Sequence, residues 1–432
     1  MAGLTLTLDT SEQTLLNTQL EIQTASNNIS NANNTWYARE TAVQTDNPAI
    51  QTTFGWLGTG ASVTQITQAR DQYLDGQVLN ATSDYSQYSN LQTQLQSIQS
   101  VASDSGSTGI SQALGAFFDS WDTLSQDPSD ISAQSAVYQA AQNLASNIQS
   151  TYNQLDEIAT NDIPGQIQDT VNQANSLIDQ IAQLNTAIAQ SSAGTPQPNT
   201  LIDQRYEAMD SLSQLIPVSF TTGASGMINV DTTDSNGPLT IVSGGTGTHI
   251  ATSTTITGGE LGGLLQAQTD LNGYMTGLNN FASTLISQVN ALPEPNGGPD
   301  VFTGTDASTI TASTTFLNNQ TSADITSRAL AISNLQDNPI NFPDGTTGTF
   351  QDYLSNIQEQ IGNDTQQATN NANFYQAMQT QLQNQQQSYS GVSLDEEMVN
   401  VIQDQQVYQA AAKVIQTVSD LMSTVTSMVQ PG

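Results

Sequence analysis

The residues able to do chemistry are few, and none stands in a catalytic setting. His249 is the single histidine, and it lies in a Thr/Gly-rich stretch. One imidazole in a chain without cysteine cannot make a zinc site unless other strong ligands join it, so His249 is expected on a solvated loop or strand. Gly244-Gly245-Thr246-Gly247 has the outline of a phosphate loop, but no Lys-Ser/Thr pair opens a helix behind it. Asp231, Asp234 and Asn236 ahead of Gly237 share part of a calcium loop's spacing without the full series or its closing glutamate, and they read as a turn. No Gly-x-Ser-x-Gly elbow occurs. Glu396 and Glu397 are adjacent carboxylates in the first turn of an expected helix, where the helix dipole favours acids. The expectation is a protein without catalytic, cofactor-binding or metal-ligating residues.

Composition points the same way. The chain has 432 residues, enough for two or three domains with cores of their own. Charged residues make up only 10% of it, so Gln, Asn, Ser and Thr must supply most of the polar surface. Acidic residues number 39 against 5 basic, a net charge of −34. A phosphate backbone needs Lys and Arg, and Lys413 is the single lysine, so nucleic acid is not an expected partner. An anionic membrane surface is disfavoured for the same reason. No segment reaches the roughly 18 to 20 apolar residues of a membrane span. The acidity implies solubility and repulsion between monomers. In an acidic medium many carboxylates would take protons, so polymers are expected to stay intact near about pH 4 and to loosen above neutrality.

The elements that could position anything are mostly helices. Leu8, Leu15, Ile22 and Ile29 fall seven apart, with small residues Ser11, Thr18, Ala25 and Ala32 at companion positions. That alternation suits either a close coiled coil or an ordinary core helix. Asn27, Asn28, Asn31, Asn33 and Asn34 crowd its end. Residues 41–69 read as extended and turn-rich, and helix resumes near Arg70. A Ser/Gly break at 103–109 precedes a helix face of Ile110, Leu114, Phe117, Trp121 and Leu124. Asp127-Pro128 reads as cap and first residue of a helix to about Ala159, and Pro164 as opening another. The break at 193–198 follows, and Asn199 is expected to cap a helix to about Ile216. Residues 217–259 are rich in Thr, Ser, Val, Ile and Gly and read as strands, with Asn236-Gly237 as a hairpin turn. Helices follow over about 260–292 and 350–388, with a mixed, turn-rich stretch between them. The last helix starts at Ser393, with Ser393 and Glu396 spaced as a capping box. Its apolar face is Leu394, Met398, Val401, Tyr408, Ala412, Ile415, Met422 and Val425.

The expected fold is mainly α with a β-containing insert (α+β): paired N- and C-terminal coiled-coil helices, a helical-bundle domain and a small outer β domain. The expected domains are 1–40 with 390–432 (terminal coiled coil), 41–216 with 260–292 and 350–389 (helical), and 217–259 with 293–349 (outer, β-containing).

Residues 28–39 carry a resemblance. Asn28-x-x-Asn31-Ala32-Asn33, followed by Tyr37-x-Arg39, resembles the Asn-x-x-Asn-Ala-Asn…Tyr-x-Arg stretch of the rod, hook and junction proteins of the bacterial flagellar axis. Asn34, Thr35 and Trp36 replace that family's Thr-Pro-Gly. Leu201-Ile-Asp-Gln-Arg205, Gly258-Gly-Glu-Leu-Gly-Gly-Leu-Leu265, Ser390-Gly-Val-Ser-Leu-Asp-Glu-Glu397 and Tyr408-Gln-Ala-Ala-Ala-Lys-Val-Ile415 are similar to stretches of the junction members. The resemblance implies a structural subunit between hook and filament, exported without a cleaved signal peptide and located outside the cell. It implies a ring of several copies, hook protein and a second junction protein as neighbours, and an export chaperone for the C-terminal helix. It implies assembly roles for Asn28, Asn31, Asn33, Tyr37 and Arg39, and for a terminal seam of Leu8, Leu15, Ile22, Ile29, Leu394, Met398, Val401, Tyr408 and Ile415. Termini without partners are expected to be disordered in the monomer. Another axial protein, flagellin-like or the second junction protein, is the nearest alternative. A glycan-binding adhesin is weaker, because residues 217–259 contain neither Trp nor Tyr.

Overall fold

The computed structural model describes residues 2–53, 55–103, 109–191, 198–292, 299–317 and 321–429. In chain order its elements are α1 (Ala2–Ser30), β1 (Glu40–Asp46), β2 (Ile50–Thr52), β3 (Gly55–Leu57), β4 (Ala61–Gln68), α2 (Gln72–Ala102), α3 (Ile110–Gln126), α4 (Ile131–Glu157), α5 (Ile163–Ser191) and α6 (Asn199–Leu215). There follow β5 (Ser219–Thr222), β6 (Ile228–Asp234), β7 (Gly237–Ser243), β8 (Thr246–Gly247), α7 (Gly259–Asn290), β9 (Phe302–Thr303), β10 (Thr311–Ala312), α8 (Ser322–Asn334), β11 (Ile340–Asn341), β12 (Thr347–Gly348), α9 (Phe350–Ser390) and α10 (Leu394–Val429). The fold is mainly α with small sheets, as the sequence implies. Among the described residues no helix is long and apolar enough to cross a membrane.

Two compact units divide the chain. The first takes Met1–Asp84, Gln173–Thr254 and Tyr375–Gly432. Here α1 lies antiparallel to α10, so the two chain ends share one surface. The β1–β4 ribbon is antiparallel, with a register shift between Val43 and Gln44. Asn17 of α1 binds that ribbon twice, donating to the Ala61 carbonyl at 2.7 Å and accepting from the Val63 amide at 3.1 Å. The four-stranded sheet has the order β5-β6-β7-β8, all antiparallel. Val230 and Val242 oppose each other on its buried face. Buried Asn185 of α5 anchors the sheet, donating to the Ile228 and Gly244 carbonyls at 2.8 Å each and accepting from the Ile228 amide at 3.2 Å.

The second unit takes Tyr85–Asn172 and Thr255–Phe374. Its core is aromatic. Phe117 lies 5.3 Å from both Phe118 and Phe302, Trp121 lies 5.7 Å from Phe316, and Phe350 lies 5.6 Å from Phe281. Each such ring removes on the order of 150–250 Å² from water, and tilted or edge-on pairs add about 0.5–1.5 kcal/mol. The spacing of Phe117, Trp121 and Leu124 on α3 puts all three on one buried face.

Several boundaries differ from those the sequence suggests. Asp127-Pro128 does not start a helix. Asp130 caps α4, accepting from the Ser132 amide at 2.8 Å, and Pro128 sits in the turn before it. Pro164 opens no separate helix, because a π turn over Ile158–Asp162 joins α4 to α5 and absorbs the proline in helical backbone. Asn199 does not cap α6. It is buried, with its carbonyl accepting from Gln68 at 3.3 Å, and Pro198 holds the cap position. The hairpin turn centres on Ser235-Asn236, one residue ahead of the expected Asn-Gly pair, with Gly237 paired to Asp234 at φ 124°. Half of the Ser393 capping box forms: the Glu396 amide donates to Ser393 Oγ at 3.4 Å, while the Glu396 carboxylate turns to Arg39. The breaks expected at 103–109 and 193–198 lie almost entirely outside the described residues.

Candidate assembly site at the chain ends

The Asn-rich segment is a built turn. Its centre is Asn28, fully buried on the last turns of α1. Asn28 Oδ1 accepts from the Tyr37 hydroxyl at 2.7 Å and from the Glu40 amide at 2.9 Å, and its Nδ2 donates to the Glu40 carbonyl at 2.9 Å. One side chain thereby ties the helix end to the start of β1 and satisfies backbone groups that burial would otherwise orphan. Asn27 adds a bond to Glu40 Oε2 at 3.1 Å. Asn31 bonds back to the Asn27 carbonyl at 3.0 Å, and Asn33 is exposed. The Trp36 amide donates to Asn34 Oδ1 at 3.1 Å, a side-chain turn that shapes the replaced Thr-Pro-Gly position. Burial, and after it the nearby Glu40 carboxylate, pushes the Tyr37 hydroxyl far above its ordinary value, so it stays a donor.

Arg39 connects this turn to the far end of the chain. Its amide donates to the Ser390 carbonyl at 2.8 Å, and its guanidinium meets Glu396 at 3.2 Å. The ion pair is largely exposed and contributes about 0–1 kcal/mol. The α9–α10 corner itself needs glycine at 391, since a Cβ there would lie 2.3 Å from the Gln387 carbonyl oxygen. Between turn and corner runs a polar groove of about 780 Å³, lined by residues 31–39 and 386–393.

Beneath the turn lies a charge cluster that sequence reading did not single out. Arg70 donates to Asp203 at 2.6 Å, to the Trp36 carbonyl at 2.9 Å and to Asp75 at 3.5 Å, and its guanidinium stacks 4.1 Å over the Tyr206 ring. Gln68 donates to Asp203 at 2.8 Å and Gln386 to Asp75 at 2.6 Å. Burial pushes Asp203 up to about 6, against the opposing pull of Arg70, and raises Asp75 as well. Its available signal was scarcity: Arg70 is one of five basic residues in the chain.

On the α1–α10 pair, the small positions Ser11, Thr18 and Ala25 are buried, and Leu8, Leu15, Ile22 and Ile29 are half-buried. Small side chains on that row let the two backbones approach closely. From α10 the inward residues are Glu397, Val401, Asp404, Ala411, Ile415, Val418, Met422 and Val425. Leu394, Met398 and Tyr408, expected on the seam, are exposed in the single chain, and Ala412 with them. A further row seven apart, Val407, Val414, Leu421 and Met428, is also exposed, with Met428 at 80%. The apolar arc of α10 is thus wider than α1 covers.

His249 is exposed and sits 3.0 Å from both carboxylate oxygens of Asp179. Among the described residues no group of three His, Asp or Glu is placed to hold a metal ion.

Comparison with known proteins gives these elements a context. Residues 95–255 match the family model described as the flagellar hook-associated protein FlgK helical domain, and residues 376–428 match the flagellar basal body rod FlgEFG protein C-terminal model. The flagellar hook-associated protein 1 of Bacillus subtilis is 25% identical over 97% of this chain and 97% of its own length. That of Salmonella typhimurium is 29% identical over 54% of this chain and 42% of its own. The solved structure of the flagellar hook junction protein FlgK from Burkholderia pseudomallei aligns at 28% identity and a TM-score of 0.47, covering 53% of this chain and 46% of that one. With a helical-domain match in the middle, an axial-protein match on α9 and α10, and a relative that aligns over 97% of both chains, this chain is similar to the flagellar hook-associated protein 1 family.

Proposed function

We propose that this chain is a structural subunit of the bacterial flagellum that forms the junction between hook and filament and is required for filament assembly. The observation that carries the reading is α10, whose apolar arc exceeds what α1 covers. Val407, Val414, Leu421 and Met428 need a partner from outside the chain. A ring of several copies supplies one, with hook protein and the second junction protein as axial neighbours. In this reading the terminal residues 1–40 and 390–432 form the inner assembly layer, 41–216 with 260–292 and 350–389 form a helical layer outside it, and 217–259 with 293–349 face outward. Asn28, Asn31, Asn33, Tyr37 and Arg39 fix the turn that aims one terminal helix at the next subunit, and the seam residues Leu394, Met398 and Tyr408 meet neighbours. The chain is exported without a cleaved signal peptide, and a chaperone covers α10 until assembly. The role is structural, not enzymatic.

Immunogold electron microscopy with antibody against residues 217–259 tests it. A single band of label where hook meets filament is the expected result. Label along the whole filament points to a flagellin-like subunit, and label away from flagella discards the assignment.

A further inference from the structure

Five carboxylates and one guanidinium surround a second cleft, of about 310 Å³, between α1 and the first turns of α10. They are Glu21, Glu40, Glu396, Glu397, Asp404 and Arg39. Three of the acids have partners: Glu21 accepts from Gln44, Glu40 from Asn27, and Glu396 pairs with Arg39. Glu397 is only 4% exposed, lines the cleft, and takes no hydrogen bond or ion pair from a described residue. Its carboxylate oxygens are not among the buried atoms without a partner, so they open to the solvent of the cleft. Asp404 stands one helical heptad further along, likewise without a side-chain partner. Burial raises it, and the charges of Glu21 and Glu397 add to that. Both acids line this solvent-open cleft.

The chain itself names the cation. Of its five basic residues, Arg39 is already in the cleft, and Arg70, Arg205 and Arg328 are buried inside their own units. Lys413 alone remains. It is exposed on α10 and forms none of the ion pairs of the structure's described residues. In a chain of net charge −34, a lone exposed ammonium and a pocket holding two unpaired acids are a complementary pair. They cannot meet within one chain. At about 1.5 Å per residue, Lys413 lies roughly 14 Å beyond Asp404 and roughly 24 Å beyond Glu397 along the same helix. They can meet between two copies arranged head to tail, where one α10 lies beside the next with that axial offset.

We infer that Lys413 of one copy enters the acidic cleft of the neighbouring copy, pairs with Glu397 and Asp404, and sets the axial stagger of adjacent terminal helices. This rests on the proposed self-assembly and adds to it a contact and a register. The apolar row Val407–Met428 supplies attraction without choosing a register, since its repeat of seven permits several alignments. A single buried ion pair removes that ambiguity.

The test uses full-length chains in cells lacking the native copy. Two variants, Lys413→Cys and Asp404→Cys, carry tags of different mass and are co-expressed. Both are melted beforehand to verify that they fold like the parent, and the parent has no cysteine to interfere. Isolated flagella are treated with a short bismaleimide and run on a denaturing gel. The expected product is a mixed dimer, at least about tenfold above that from either variant alone; no intrachain link gives this band. Charge reversal provides the second arm. Lys413→Glu should cut the fraction of cells bearing filaments at least about tenfold, and adding Asp404→Lys should restore it.

If the chain is present in the flagella but the mixed dimer is absent, or if Asp404→Lys fails to rescue, the inference falls and the junction reading stands. If the chain is absent from flagella, the junction reading fails and the inference with it. Lys413→Glu flagella that assemble normally, with calcium chloride titrating into the parent chain and not into Asp404→Asn, would give the cleft to a metal ion and overturn the inference.

Discussion

Asn28 holds three polar groups at once, and truncation would strand two of them in the interior. Asn28→Ala should therefore destabilise the first unit by about 2–4 kcal/mol, read as a lower urea midpoint, whereas Tyr37→Phe should cost about 1 kcal/mol. Asp203 sets a different kind of dependence. Its folded value, about 6, exceeds the ordinary 3.8. Between those values the folded chain holds a proton that the unfolded chain releases, so stability rises as pH falls from about 6.5 to about 4, by about 3 kcal/mol in all. Asp203→Asn should flatten that slope in urea titrations across the same window. The two sites also differ in legibility. Asn28 and Tyr37 lie in one short patterned stretch, so the motif can be read in order. The cluster joins Arg70 to Asp203 and Asp75 to Gln386, contacts 133 and 311 residues apart, and no local pattern marks such a meeting.

At the scale of elements, helix packing gives the sharpest contrast between glycines. A Cβ on Gly263 of α7 would lie 2.5 Å from the Gln87 carbonyl oxygen of α2 and 3.1 Å from the Leu91 amide nitrogen. Backbone cannot yield as a side-chain tip can, so Gly263→Ala should destabilise by at least about 2 kcal/mol. On α3, Gly115 has open space around its Cβ position, and Gly115→Ala should instead stabilise by up to about 1 kcal/mol. Thermal melts of the two variants provide the check. The same elements explain which boundaries the sequence carried. Repeats of apolar residues located the long helices, because burial enforces the 3.6-residue period over many turns. Ends were less legible. Asp127 and Asp130 are equally good caps by composition, and packing of Ala133 and Val137 decided for the later one. The π turn at Ile158–Asp162 has no signature, as it arises where two buried faces must be brought into phase.

The molecule as a whole is an anion in which three of the five basic groups, Arg70, Arg205 and Arg328, are turned inward. Copies must approach against that field. Self-association should strengthen when sodium chloride is raised from about 0.01 to about 0.15 M, as the screening length falls from about 30 to about 8 Å. It should strengthen again on acidification toward about pH 4.5, where Asp203, raised to about 6 by burial and lying away from the inferred Lys413 contact, takes a proton and lowers the net charge. Sedimentation of the full chain across salt and pH measures both. Less pelleted protein at the acidic end would contradict the second expectation.

The pairing of α1 with α10 also governs the order in which the chain can mature. Arg39 and Glu396 stand 357 residues apart, so the pair closes a very long loop, at an entropy cost of about 5 kcal/mol. During synthesis α1 emerges first and must wait, with its Leu and Ile row uncovered, until α10 follows. Folding of this region is therefore slow compared with the local packing of α3 on α4, and it is a step that only a chain translated through α10 can complete. A prematurely stopped chain would keep its middle and lose its ends. Docking of the termini is thus the last contact this unit can make, and a chain without α10 leaves the Leu and Ile row of α1 with no helix of its own to cover it.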